Sequence, residues 1–166
     1  MSRIRLGVVC DSGPLIALAI CGQLEQLTLF EAVHVPAAVL LETTADLTRP
    51  GADAITRFVA GHAQVHPDRP DPAYAAAVAY LDEGEAQALS LALALGCGVL
   101  IDERRGRLAA QRQGLPVFGV LGLLLHARRA GRIAQLRPAL DRLQTGGYRI
   151  APALCEEALR LAGEAP

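Results

Sequence analysis

Short apolar runs alternate with helix-like segments along nearly the whole chain, and this alternation restricts the possible folds more than any other feature. The runs at residues 6–10, 33–35 and 98–101 are too short for helices, and Ala and Leu recur at helical spacing between them. Strands separated by helices pair in parallel, and a parallel sheet needs helices on both faces. The pattern therefore predicts an α/β sandwich of three layers around a mostly parallel central sheet.

Weaker signals extend this pattern to the rest of the chain. Short strands are predicted at residues 65–66, 116–118 and 148–150, and a helix at residues 23–30. A long helical segment beginning at residue 72 is predicted to break near Gly84.

The length of 166 residues predicts one domain, with residues 133–166 as an extension of the same domain. Hydrophobic residues make up 52% of the chain, which is enough for a substantial core.

No apolar run reaches the roughly 18 residues needed to cross a membrane, and the first residues do not form a secretory signal. The four cysteines are widely spaced, which favours reduced thiols and a cytoplasmic location.

Charge is distributed unevenly, although the formal net charge is only −1. All sixteen basic residues are arginine; residues 1–99 carry five of them against eleven acids, and residues 100–149 carry ten against three acids. The forked guanidinium group of arginine suits phosphate. The distribution is consistent with an acidic metal site beside a phosphate-binding rim, and equally with solvated helix faces.

Acidic residues stand where a parallel sheet would place a functional site. Asp11 and Asp102 each follow an apolar strand-like run directly, and ligand sites in such sheets form at the carboxyl ends of strands. Glu42 and Glu85 come from two helical segments. Clustered carboxylates raise one another's pKa unless a cation lies among them. Mg²⁺ and Mn²⁺ prefer such oxygen ligands and activate water for attack on a phosphodiester.

Each of the two glutamates also has an ordinary structural interpretation. Glu42 is equally typical of a solvated helix position, and Glu85 of a negative charge at a helix start. Asp82 and Glu83 stand so close to Glu85 that they compete for the same role.

Five segments in a fixed order resemble the PIN-domain family of metal-dependent ribonucleases, and within it the VapC-related toxins of toxin–antitoxin pairs. They are VVCDSGPLIALA (8–19), VHVPAAVLLE (33–42), LDEGEAQALSLALALG (81–96), VLIDERRGRLAAQRQGLPVFGVLGLLLHARRAG (99–131) and GYRIAPALCEEALRLAG (147–163). The resemblance implies that Asp11, Glu42, Glu85 and Asp102 are the catalytic acids and hold Mg²⁺ or Mn²⁺. It also implies a homodimer and a small antitoxin protein that blocks the site.

Three further residues are candidates for contact with the substrate phosphate. Ser12 follows the first acid and is a candidate to orient it or a bound water; a helix N-cap is the alternative. Arg104 and Arg107 are three residues apart, which places them on one helix face where both can meet a phosphate. A solvated helix start is the alternative for both arginines.

The leading hypothesis is an Mg²⁺- or Mn²⁺-dependent endoribonuclease that acts as a toxin. The alternatives are a PIN-fold module that binds RNA or protein without catalysis, and a phosphohydrolase for small esters. His62 and His66 have the spacing of zinc ligands on a helix, but Val65 and Pro67 favour extended chain there and no third ligand is near. We therefore set zinc aside.

Overall fold

The computed structural model describes residues 3–165 and confirms the α/β prediction. The strands are β1 (Ile4–Cys10), β2 (Phe30–Pro36), β3 (Gln64–His66), β4 (Gly98–Leu100) and β5 (Val117–Phe118). The helices are α1 (Ser12–Ile20), α2 (Ala37–Thr44), α3 (Ala52–His62), α4 (Pro72–Ala77), α5 (Glu83–Leu95), α6 (Arg104–Arg112), α7 (Val120–Arg129), α8 (Arg137–Thr145) and α9 (Pro152–Leu161), with a 3-10 helix at Leu24–Leu29.

The five strands form one sheet in the order β3-β2-β1-β4-β5, and every neighbouring pair is parallel. Side chains alternate across β1, so that Val8 and Val9 enter different apolar clusters on the two faces. Helices α1, α3, α7, α8 and α9 pack on the Val8 face, and α4, α5 and α6 pack on the Val9 face. The result is the three-layer arrangement that the alternation of segments predicts.

The register of the strands brings their carboxyl ends to one edge of the sheet. Cys10, the last residue of β1, pairs with Leu100, the last residue of β4. The backbone amide of Asp11 extends this pairing, because it donates a hydrogen bond of 3.1 Å to the carbonyl of Leu100. The residues that follow β1 and β4 therefore lie side by side, as expected for a functional edge.

Three local predictions differ from the structure. The segment 23–30 forms a 3-10 helix, and Phe30 already begins β2. The helical break lies before Gly84, because Asp82 caps α5 and Gly84 belongs to its first turn. Residues 148–150 form no strand: Gly147 has a φ of 87°, and the amide of Tyr148 closes the end of α8 by donating to the carbonyl of Leu143 at 2.9 Å.

The four cysteines are buried free thiols, as their spacing predicts. Within residues 3–165, no helix combines the length and the apolar character that crossing a membrane requires.

Candidate active site

Asp11 lies at the junction between β1 and α1 and has only 5% of its surface exposed. Burial, together with the negative charges of Glu85, Asp82 and Glu42, raises the pKa of its carboxyl to about 7, although the backbone amide of Ser12 acts in the opposite direction. A buried carboxylate among other carboxylates is costly without a positive charge to balance it. Asp11 is therefore the residue in this region with the greatest need for a cation.

Glu42 is fixed by a hydroxyl group from a different helix. Ser12 Oγ, in the first turn of α1, donates a hydrogen bond of 2.7 Å to Glu42 Oε2 on α2. Asp11, and not Ser12, occupies the N-cap position of α1. Ser12 therefore orients Glu42. Neither of the two roles predicted for Ser12 from the sequence involves Glu42.

The first turn of α5 approaches this pair closely because residue 84 is glycine. A Cβ atom at Gly84 would lie 3.0 Å from Glu42 Oε2 and 3.4 Å from Ser12 Oγ. The first of these distances is shorter than most real Cβ contacts. Gly84 therefore lets α5 bring its acidic first turn next to α1 and α2.

Glu85 combines a structural and an electrostatic role. Its amide donates to Asp82 Oδ1 at 2.8 Å and its Oε2 accepts from the amide of Asp82 at 3.2 Å, which forms a capping box at the start of α5. The side chain is nevertheless buried. Burial raises the pKa of Glu85, and the charges of Asp82, Glu103 and Glu42 add to this effect, while the amide of Asp82 lowers the pKa.

Asp102 lies two residues after the end of β4, and both of its carboxylate oxygens accept hydrogen bonds. Tyr148 donates its hydroxyl proton to Oδ2 at 2.5 Å, and the amide of Val120, at the start of α7, donates to Oδ1 at 3.2 Å. Burial and the bond to Asp102 both raise the pKa of Tyr148. Nothing in the sequence indicates the role of Tyr148, because 46 residues separate it from Asp102.

The two candidate arginines differ in how firmly they are held. Arg107 donates from Nη1 to the carbonyl of Ile101 at 2.9 Å, which fixes its guanidinium group beside Asp102. Arg104 is exposed on the first turn of α6. Further along the arginine-rich segment, Arg128 forms an ion pair with Glu164 and Arg132 bonds to Thr28. Part of the positive charge therefore serves the packing of the fold.

The acidic groups match a divalent cation in chemistry, although they do not converge on one point. Within residues 3–165, no three Asp, Glu, His or Cys side chains stand together as a ready metal site. Asp11, Glu42 and Glu85 nevertheless lie close enough for their charges to raise the pKa of both Asp11 and Glu85. Mg²⁺ and Mn²⁺ bind carboxylate oxygens and would relieve this repulsion. The donor set therefore fits such an ion in its chemistry.

The two histidines with zinc-like spacing have separate partners. His62 stacks on Phe58 with ring centroids 5.1 Å apart, whereas His66 Nε2 lies 2.9 Å from Nδ1 of the buried His34. The two rings are thus engaged by different neighbours.

Comparison with known proteins identifies one family. The profile of a family described as a PIN domain matches residues 7–164. No curated protein matches the chain. Among solved structures, a domain of a functionally unknown protein from Methanocaldococcus jannaschii DSM 2661 is similar with 17% sequence identity and a TM-score of 0.44, over 69% of this chain and 90% of that one.

Proposed function

Because the chain belongs to the PIN-domain family, we propose that it is an Mg²⁺- or Mn²⁺-dependent endoribonuclease. The observation that carries this proposal is the environment of Asp11, a buried carboxylate whose pKa is raised to about 7 beside Glu42, Asp82 and Glu85. Such repulsion has a functional explanation if a divalent cation binds there during the reaction.

In this proposal Asp11, Glu42, Glu85 and Asp102 hold the metal ion. When bound, the ion would supply a water of lowered pKa and would polarise the phosphodiester. The chain itself supplies orientation: Ser12 fixes Glu42, and Tyr148 fixes Asp102.

Arginine side chains bind the substrate phosphate in the same proposal. Arg107 is held beside Asp102 by the carbonyl of Ile101, so its guanidinium group needs little ordering when a phosphate arrives. Arg104 is exposed three residues earlier on the same helix and reaches the phosphate from solvent. Ser12 contributes to phosphate contact through its position next to Glu42.

The finer biological role is also a proposal. We infer a toxin of a toxin–antitoxin pair that acts in the cytoplasm as a homodimer and is blocked by a small antitoxin protein. The support is the ordered set of sequence segments that resemble VapC-related toxins. We further propose that residues 133–166 belong to the same domain, since Leu136, Leu140 and Leu143 join the apolar cluster that contains Val8.

The test is cleavage of a single-stranded RNA in the presence of Mn²⁺. We expect Asp11→Asn and Asp102→Asn to lose at least about 100-fold in rate, since each removes a charged metal ligand. Glu31→Gln is the matched control, because Glu31 is an exposed acid near the opposite end of β2. Equal cleavage by all variants would refute the catalytic assignment, and binding of RNA without any metal-dependent cleavage would favour the non-catalytic module.

A further inference from the structure

A cleft of about 820 Å³ opens beside Asp102, between β5, α7 and the segment that joins α8 to α9. Its volume lies in the range typical of small-ligand sites, roughly 300–1,000 Å³. The acidic cluster around Asp11 does not contribute to its walls. The cleft therefore meets the proposed metal site at Asp102 and extends away from the other three acids.

The walls of the cleft combine aromatic, apolar and cationic groups. Tyr148 and Phe118 contribute rings, and Leu121 and Leu154 contribute aliphatic surface. Leu154 is 57% exposed, so part of this aliphatic wall is open to solvent. An apolar wall that remains open to solvent is suited to a ligand with flat, partly apolar faces.

The charges of the lining favour a ligand that carries phosphate. Two arginines, Arg107 and Arg149, line the cleft. Among the described residues, Asp102 is the one acid in its lining. Asp102 is already bonded to Tyr148 and to the amide of Val120, so its charge is partly satisfied. The guanidinium groups are thus the groups that a phosphodiester chain would meet on entering.

The aromatic wall next to Asp102 is fixed in place. The Tyr148 hydroxyl is bonded to Asp102, and the Tyr148 ring packs against the main apolar cluster. A ring held in this way loses little conformational freedom when a base stacks on it. Stacking on aromatic side chains is a recurrent way in which proteins bind the bases of single-stranded RNA.

We propose that this cleft is a nucleobase subsite, which accepts a base of single-stranded RNA next to the phosphodiester that is cut. The base lies against Tyr148 and the leucine wall, and Arg107 and Arg149 contact the flanking phosphates. This inference rests on the proposed ribonuclease function, because it identifies where the substrate of that reaction is held.

Glycine 122 offers a way to fill the cleft without disturbing the fold. Gly122 lines the cleft on α7, and a Cβ atom built there meets no other atom within 4 Å. Gly61 on α3 has the same open surroundings and lies outside the cleft. Gly122→Leu and Gly61→Leu are therefore a matched pair, and both replace a helical glycine with a better helix former.

The experiment measures the binding of two fluorescent oligomers in EDTA, so that no metal-dependent cleavage takes place. One is a ten-residue single-stranded RNA, and the other is the same ribose-phosphate chain without bases. We expect the wild type to bind the RNA at least about fivefold more tightly than the abasic chain, in keeping with the usual strength of base stacking. Gly122→Leu should remove this preference, and Gly61→Leu should keep it.

A second variant covers the case in which Gly122→Leu fails to fold, as judged by circular dichroism. Leu154→Glu places a carboxylate at an exposed wall residue and should also reduce the preference for the RNA with bases. The inference is overturned if the wild type does not distinguish the two oligomers, if folded Gly122→Leu or Leu154→Glu keeps the full preference, or if Gly61→Leu loses it too. Since the assay needs no turnover, a protein that binds through the cleft but never cleaves RNA would refute the proposed function and leave the subsite standing.

Discussion

The hydroxyl of Tyr148 donates a hydrogen bond of 2.5 Å to Oδ2 of Asp102, from a segment that lies between two helices near the end of the described chain. Asp102 therefore depends on the path of a distant loop for its orientation, although its own position follows from β4. The same tyrosine lines the cleft with its ring. Its hydroxyl and its ring can be separated by mutation.

Tyr148→Phe removes the hydroxyl and keeps the ring. We expect Mn²⁺-dependent cleavage to fall about tenfold, because a hydrogen bond to a charged group is worth roughly 1.5–3 kcal/mol. The loss should appear in kcat and in Mn²⁺ affinity, measured by calorimetry. Metal-free binding of RNA should stay within about twofold of the wild type, since stacking needs only the ring. Unchanged Mn²⁺ affinity would show that the bond does not orient a metal ligand.

Ser12→Ala tests the bond that orients Glu42. Removal of the hydroxyl should weaken Mn²⁺ binding about three- to tenfold, a change of about 1 kcal/mol that is typical of one hydrogen bond. Ser90→Ala is the matched control, because Ser90 is also buried and also donates to a carboxylate, that of Asp71. We expect Ser90→Ala to lower stability in thermal unfolding without a change in Mn²⁺ affinity. Equal effects of the two variants on metal binding would contradict the assignment.

Asp11 makes the metal-free protein less stable as pH rises. The folded chain holds the Asp11 proton up to about pH 7, whereas the unfolded chain releases it near pH 4, so stability falls across this range. Asp11→Asn carries no charge and should raise the free energy of unfolding by about 2–4 kcal/mol at pH 8, with no gain at pH 4. Urea unfolding in EDTA at the two pH values measures the difference. The same gain at both pH values would rule out titration of Asp11 as its cause.

Binding of Mn²⁺ should restore the stability that the wild type loses when Asp11 is ionised. Mn²⁺ that binds only the folded chain stabilises it in proportion to the logarithm of its concentration. We expect the midpoint of thermal unfolding to rise with added Mn²⁺ for the wild type and to stay constant for Asp11→Asn. An equal rise for both proteins would mean that the ion binds elsewhere.

The His34–His66 pair gives a pH dependence of opposite sign. Burial, and then the neighbouring His66, lower the pKa of His34, so the unfolded chain takes up this proton more readily than the folded one. Stability should therefore be lost as pH falls below about 6.5, the ordinary histidine pKa. His66→Gln should raise the pKa of His34, measured by NMR titration of its ring, and should reduce that loss in an Asp11→Asn background. His62→Gln, at the ring stacked on Phe58, should leave both unchanged.

The sequence predicts the parts of the fold and site that depend on local patterns. The parallel sheet followed from short apolar runs between helices, and Asp11 and Asp102 stood out because each comes directly after such a run. The interpretation of Glu85 as a negative charge at a helix start is also confirmed, since it depends only on the residues around it in the chain. These features depend on residues close together in the chain.

Other features depend on how distant elements pack, and no local pattern indicates them. The Ser12–Glu42 bond forms because α1 and α2 pack close together. The sequence predicts a helix break at Gly84, whereas in the structure the absence of a side chain there lets α5 pack close to Glu42 and Ser12. Tyr148 falls in a segment predicted as a strand, because Tyr148 and Ile150 are residue types that are enriched in strands. In the structure, the left-handed conformation of Gly147 and the hydrogen bond from the Tyr148 amide to the end of α8 keep this segment out of the sheet.

The anchoring of Asp102 by a loop has a consequence for how the protein responds to heat. Proteins open in parts, and segments outside the core open at a lower free energy than the whole fold. Tyr148 and Ile150, which are only partly buried, hold the connection between α8 and α9 against the apolar cluster, whereas Val8 and Val9 of β1 are fully buried; we therefore expect this connection to open at a lower free energy than the sheet. Warming below the midpoint of thermal unfolding should therefore release Asp102 from Tyr148 and reversibly lower the proposed RNA cleavage, and cooling should restore it.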